Sequence, residues 1–203
     1  MPEGSVFVTS DFENIAVDDT VSKILARLSE DDTVERVLRG VYWKPEKMNG
    51  EYGNSDEPYP DNVAKALARN NSQRVVPCGD TALHILGLSE DDPKEWTYIT
   101  DGAYQEYTYE NVCIKFKHAT GKLFETMSDK TATVVQAIKA YGKEHLTKEK
   151  LLGLVSKLSN DDLDHMLFEA KYTTAWIYKA IKKMCRLSEN KEQAKGELWK
   201  QNF

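Results

Sequence analysis

One segment restricts the fold more than any other, an amphipathic helix followed at once by a basic, β-branched run. Between Thr20 and Leu28, the residues Val21, Ile24, Leu25 and Leu28 recur at i, i+3, i+4 and i+7. That spacing is one face of a 3.6-residue period. Lys23, Ala26 and Arg27 fall on the other face. Asp18 or Asp19 stands where it can cap the N-terminus by accepting from free backbone N–H groups. After Asp31-Asp32 the chain reads VERVLRGVYWKP, in which Val34, Val37, Val41 and Tyr42 suit a short hairpin around Arg39-Gly40. A small helical core with one solvent-facing helix and a basic hairpin beside it can dock on duplex DNA, as a winged helix-turn-helix does. The plainer alternative is a small α/β cap with no ligand.

Charge weighs on that choice. The chain carries a formal net charge of −6, and residues 1–50 hold ten acids against six bases. DNA binding rests on phosphate neutralisation by Lys and Arg, so the bases must cluster on one face. Lys23, Arg27, Arg36, Arg39 and Lys44 can form such a stripe along the helix and the wing, with Ser22 beside Lys23 as a further DNA-facing candidate. Asp18, Asp19 and Glu30 flank the stripe and weaken it. The pattern therefore predicts DNA binding of modest affinity, or a different use of the domain.

At 203 residues the chain can bury one good core or two small ones. Apolar and charged contents of 40% and 30% are those of an ordinary globular protein. No apolar run is long enough to span a membrane, and no basic region precedes an apolar core as in a secretory signal. Cys78, Cys113 and Cys185 are isolated and odd in number. They fit a reducing cytoplasm, and three free thiols, better than a disulfide framework.

The punctuation divides the chain in two. Asn49 to Pro60, NGEYGNSDEPYP, has the composition of a linker. It separates a winged helix-turn-helix domain over 1–48 from an α+β domain over 61–203. The second domain is predicted to be rich in helices, with a small antiparallel sheet. Its first helix runs from Pro60-Asp61 to about Asn70 with Val63 and Leu67 inward, and a short one from Gly79 to Leu86 ends at Gly87. Strands are predicted over Thr97–Thr100, Gln105–Tyr109 and Val112–His118, with turns at Asp101-Gly102 and Glu110-Asn111. Helices follow over Thr131–Tyr141 and Lys148–Leu158, then from Ser159 with Asp162, then along Trp176, Ile177, Ile181 and Met184. The charged tail from Ser188 frays unless Leu198, Trp199 and Phe203 dock it.

Catalytic constellations are poor. His84, His118, His145 and His165 show no metal-ligand spacing, and there is no HExxH, P-loop, GxGxxG or GxSxG. Glu90-Asp91-Asp92 and Asp161-Asp162 fall at turns or helix starts, where a helix dipole explains them. The expectation is a protein without catalytic residues, metal or cofactor. Tyr98, Tyr104, Tyr107 and Tyr109 lie close together on the strand region. They could anchor a protein interface, or alternate between core and water as tyrosines on a pleated sheet do.

The stretches VFVTSDF, TVSKILARL and RVLRGVYWKP resemble the N-terminal winged helix of AbiEi-type antitoxins of type IV toxin–antitoxin systems. RVVPCGDTALHILGLS and WTYITDG resemble the opening of that family's second domain, and the likeness extends to about Ala140. It implies a cytoplasmic autorepressor that binds its own operator through the winged helix. It also implies an antitoxic second domain, with a nucleotidyltransferase-like toxin as functional partner and no need for a stable complex. This chain departs from the pattern at Met1-Pro2-Glu3-Gly4, where the resembled family has a preceding helix, and at Asp31-Asp32, where it tends to place Gly. The first departure means a shortened start or a domain lacking one wall of its core. The alternative function is a protein-interaction module whose winged helix no longer reads DNA.

Overall fold

The computed structural model of the chain describes the backbone at residues 1–48, 51–52, 57–119 and 122–201. Side chains are described at those positions except 47–48, 51–52, 122–123 and 191–201. The fold is α+β. In chain order, β1 (Val6–Val8) is followed by a 3-10 turn (Thr9–Phe12), α1 (Asp18–Glu30), β2 (Glu35–Leu38) and β3 (Val41–Trp43). Then come β4 (Lys47–Met48), β5 (Glu51–Tyr52), α2 (Pro60–Asn70), β6 (Val75–Pro77), α3 (Asp80–Ile85) and β7 (Trp96–Thr100). The chain continues with β8 (Gln105–Tyr109), β9 (Val112–His118), α4 (Lys122–Thr126), α5 (Asp129–Tyr141), α6 (Lys148–Val155), α7 (Asn160–Glu169) and α8 (Ala175–Gln201). Two compact units result. The first is Met1–Val75 with Thr100–His118, and the second is Val76–Ile99 with Ala119–Phe203.

In the first unit β3 is the central strand of an antiparallel sheet of order β1-β3-β2. Phe7 and Arg36 both lie opposite Tyr42, so the three side chains share one face. α1 closes that face, packing Val21 and Leu25 against Phe7, Tyr42 and Val34. The second face carries Val8, Val41 and Trp43, all buried, and α2 packs on β1 and β3 with Val63, Ala64 and Leu67 buried. A strand covered on both faces needs no polar alternation. That is why Val41-Tyr42-Trp43 is apolar throughout.

The helix ends show how the chain turns. α1 begins two residues before Thr20 and ends two after Leu28. Its N-cap is Val17, and no side chain caps it; Asp18 and Asp19 lie in the first turn instead. They act there by complementing the helix dipole rather than as caps. At the other end Asp32 takes a left-handed conformation, φ +51°, while the Thr33 N–H donates to the Leu28 carbonyl (2.9 Å). The Asp32 N–H donates to Ser29 O (3.4 Å). This is a Schellman stop made without glycine. α2 ends in the same way at Ser72, φ +52°, with the Gln73 N–H donating to Ala68 O at 2.9 Å.

Asp11 and Arg69 tie α2 to the start of the sheet. Arg69 Nε donates to Asp11 Oδ1 and Arg69 Nη2 to Asp11 Oδ2, both at 2.9 Å. The Val8 N–H donates to Asp11 Oδ2 (2.9 Å), and Arg69 Nη2 also donates to the Val6 carbonyl (3.3 Å). Burial pulls the Asp11 carboxyl upward, but the bonds from Arg69 and Val8 outweigh it and leave its pKa lowered. α2 thus belongs with the N-terminal elements, and a cut at residue 61 would separate it from the sheet it covers. The expected linker over 49–60 includes β5 and the first residue of α2, while residues 49–50 and 53–56 lie outside the described residues.

In the second unit β6 lies beside β7, and the Cys78 N–H donates to Thr97 O at 2.9 Å. The core is helical. Val134, Val135 and Ile138 of α5 meet Leu151 and Leu154 of α6, Leu163 and Met166 of α7, and Ile177, Ile181 and Met184 of α8. Ser128 caps α5, and its N–H and Oγ both donate to Glu169 Oε2, at 3.0 and 2.8 Å. Ser159 and Asp162 form the capping box of α7 that the sequence predicts.

Two predictions follow from these ties. Asp11→Asn and Arg69→Ala should each lower the unfolding free energy by about 1–2 kcal/mol, since Arg69 is nearly half exposed. Their double variant should cost clearly less than the sum in urea titrations; full additivity would show that the pair is not coupled. The second concerns acid. The Lys130 ammonium, 2.7 Å away, and the Ser159 N–H, 2.9 Å away, push the Asp162 pKa down to about 2. A lowered carboxylate pKa stabilises the fold above the ordinary value of 3.8, and the contribution fades as pH falls toward about 2. Asp162→Asn should cost about 1 kcal/mol at neutral pH and flatten this part of the acid-unfolding curve. An unchanged curve would contradict the assignment.

Candidate nucleic-acid interface

Both faces of the β1-β3-β2 sheet are covered, so the polar surface left in this part of the first unit is the outer side of α1 and the β2–β3 hairpin. On α1 the apolar stripe of Val21, Leu25 and Leu28 faces inward. Lys23 and Arg27, one turn apart, project from the opposite side and are exposed. Ser22 is also exposed but lies about 100° around the helix from Lys23. Lys23 Nζ is 2.7 Å from Asp19 Oδ2, with both side chains more than two-thirds exposed. Glu30 shares this face by helical spacing. The outer side of α1 is therefore mixed in sign, as its composition suggests.

The hairpin brings two more bases. Arg36 is exposed on β2, an edge strand, on the sheet face that α1 packs against. Arg39 is exposed at the tip beside Gly40, whose φ of +78° makes the reversal. A Cβ at position 40 would lie 3.6 Å from Asn70 Oδ1, so the tip rests near the end of α2. Lys44, just past β3, stands near Ile24 and Leu28 of α1. It is half-buried at the far end of β3, its Nζ donates to the Met1 carbonyl at 3.0 Å, and its backbone pairs with Gly4 and Ser5. Ser22, Lys23 and Arg27 thus sit on α1, Arg36 and Arg39 on the hairpin that follows, and Lys44 just past β3 with its ammonium bonded to the Met1 carbonyl.

Sequence reasoning missed an open apolar concavity of about 430 Å³ beside α1. Phe12, Ile15, Ala16, Ile24 and Leu28 contribute to its lining. Ile24 belongs to the apolar stripe but opens into this space and is 48% exposed, and Ile15 is 79% exposed. The signal in the sequence was Phe12-x-x-Ile15-Ala16, apolar residues ahead of the helix with no periodicity to assign them. A polar recess of about 380 Å³ near Glu3, Glu46, Asn62, Lys65 and Arg69 has its cations already engaged. Lys65 pairs with Asp61 at 2.6 Å, and Arg69 pairs with Asp11.

Elsewhere His118, His145 and His165 are exposed, and His84 is packed. His84 stacks edge-on against Trp96 with Nδ1 3.1 Å from Asp91 O and Nε2 3.5 Å from Asp92 Oδ1. Cys78, Cys113 and Cys185 form no disulfide with one another. Among the described residues, no three His, Cys, Asp or Glu side chains are grouped to hold a metal ion, and no helix is long and apolar enough to cross a membrane. Of the four tyrosines, Tyr98 and Tyr109 are buried, and Tyr107 is half-buried, its hydroxyl 2.6 Å from Gln105 Oε1. Only Tyr104 is exposed, with its hydroxyl donating to Glu106 Oε2 at 2.9 Å. The alternation of a pleated strand, rather than a shared surface, accounts for them.

A comparison with curated proteins finds no match. The family model described as a family of unknown function, DUF6088, matches residues 1–163, which takes in all of the first unit. With far more than half of its length matched, the chain belongs to the DUF6088 family.

Proposed function

We propose that the first unit is a winged helix-turn-helix that binds duplex DNA, and that the protein is an AbiEi-like antitoxin that represses its own promoter from the cytoplasm. The observation that carries the DNA-binding half is the order β1-β3-β2, with α1 between β1 and β2 and its polar face outward. That arrangement offers a helix to the major groove and the β2–β3 hairpin as a wing. In this reading Lys23 and Arg27 approach base edges, Ser22 flanks them, and Arg36 and Arg39 hold phosphates. Lys44, half-buried and bonded to the Met1 carbonyl, is the least available of the six residues. The antitoxin half rests on the sequence resemblance. Its functional partner would be a nucleotidyltransferase-like toxin, opposed without a stable complex and without enzymatic chemistry in this chain.

A second reading has its own observation. The open apolar concavity with Ile15 and Ile24 exposed, next to a Lys23 already neutralised by Asp19, suits a protein-interaction module that no longer reads DNA. Gel-shift titration against the protein's own promoter separates the two. Arg39→Ala should weaken binding across sequences and flatten the salt dependence by about one unit of slope. No promoter binding at low salt would rule out the repressor and favour the interaction module. Rescue of growth on co-expression with a nucleotidyltransferase-like toxin tests the antitoxin half separately, and failure to rescue would count against it.

A further inference from the structure

We propose that the exposed face of α8 is a second polyanion-binding surface, one that holds the phosphate backbone of duplex nucleic acid. It does not depend on DNA binding by the first unit. The apolar residues of α8, Ile177, Ala180, Ile181 and Met184, are buried in the core of the second unit. On the side opposite stand Lys179, Lys182, Lys183 and Arg186, all exposed. Their spacing is i, i+3, i+4 and i+7, which gathers four cations into an arc of about 100°. No acid interrupts the helix between Ala175 and Ser188; the first is Glu189. This is a concentrated positive stripe in a chain whose net charge is −6.

The pattern is a poor choice for a merely solvated helix face. Such faces alternate signs so that i,i+4 pairs attract, whereas like charges at i,i+3 and i,i+4 repel and weaken the helix. Among the described residues none of the four makes an ion pair. The Lys182 ammonium lies over the Tyr178 ring, 4.5 Å from its centroid, a contact that holds the charge beside the stripe without neutralising it. The neighbouring acids sit on the flanks. On the α6 side Glu149 feels Lys148 and Lys183, though its own N–H and Thr147 chiefly hold its pKa down. Asp164 of α7 and Glu189 of α8 itself act on Cys185. The stripe is about 10 Å long, over which one strand of a duplex presents about three phosphates. A row of cations at that spacing, without ion pairs among the described residues, has the charge and the reach for a nucleic-acid backbone.

The test uses the full-length protein and a short random-sequence duplex, with binding followed by fluorescence anisotropy between about 50 and 200 mM salt. Replacing three of the cations (Lys179→Gln, Lys182→Gln, Arg186→Gln) should flatten the log–log salt slope by up to about three units. Each single replacement should flatten it by about one. Lys179→Arg with Lys182→Arg should retain the slope. The pair Arg36→Ala and Arg39→Ala keeps the two surfaces distinguishable, because it should leave the decrement due to α8 intact even if the winged helix does not bind DNA. Three outcomes would overturn the proposal: a wild-type protein that ignores the duplex at low salt, a folded triple variant with unchanged slope, or binding through these residues to phosphatidylserine vesicles but not to DNA.

Discussion

The bidentate pair between Arg69 and Asp11 is the tie on which the first unit depends. It joins residues 58 apart in sequence, and the same carboxylate accepts the Val8 N–H where β1 ends. α2 is thereby held against β1 and β3, and the central strand is covered on both faces. Without that cover Val8, Val41 and Trp43 would meet water, and the three-stranded sheet would be an open layer with one helix on it. Burial alone would have favoured a protonated Asp11. That the hydrogen bonds reverse the direction shows how closely the partners are matched.

Once both faces of the β1-β3-β2 sheet are covered, the surfaces left around it include the outer side of α1, the hairpin edge and the apolar concavity between the 3-10 turn and α1. The first two suit a duplex and the third suits an apolar side chain. Charge separates the two units. On α1 each base has an acid within a turn, Asp19 against Lys23 and Glu30 after Arg27. On α8 four bases share one face with acids only at its flanks. An acidic protein can thus carry local cationic surfaces, because phosphate recognition depends on where charge lies rather than on its sum.

Much of the fold was legible, because most elements carry local signals. α2, β8 and β9 start and stop where Pro60, Asp101-Gly102 and Glu110-Asn111 say they should. The Ser159–Asp162 box marks the start of α7 as a capping box must. What was not legible depends on contacts distant in sequence or on unusual residues at turns. Asp32 and Ser72 adopt the left-handed stops usually left to glycine, so the ends of α1 and α2 carry no glycine to announce them. The place of α2 with the N-terminal elements follows from Arg69 reaching Asp11, which no window of sequence contains. The candidate site was half legible. Helical spacing put Lys23 and Arg27 on one face, but only the fold shows Lys44 half-buried with its ammonium on the Met1 carbonyl. The basic face of α8 was hidden in a helix read for its apolar stripe, although Lys179, Lys182, Lys183 and Arg186 follow the same period.

The central claim is that α1 and the hairpin after it form one nucleic-acid surface on a sheet closed by α2. Amide chemical-shift mapping during titration with a duplex from the protein's own promoter tests it most directly. The account predicts the largest shifts over Ser22–Arg27 and Arg36–Gly40, with Phe7, Val8 and Val41 in the closed sheet nearly unmoved. Saturable binding that leaves α1 and the hairpin unshifted, or no binding at low salt, would contradict it.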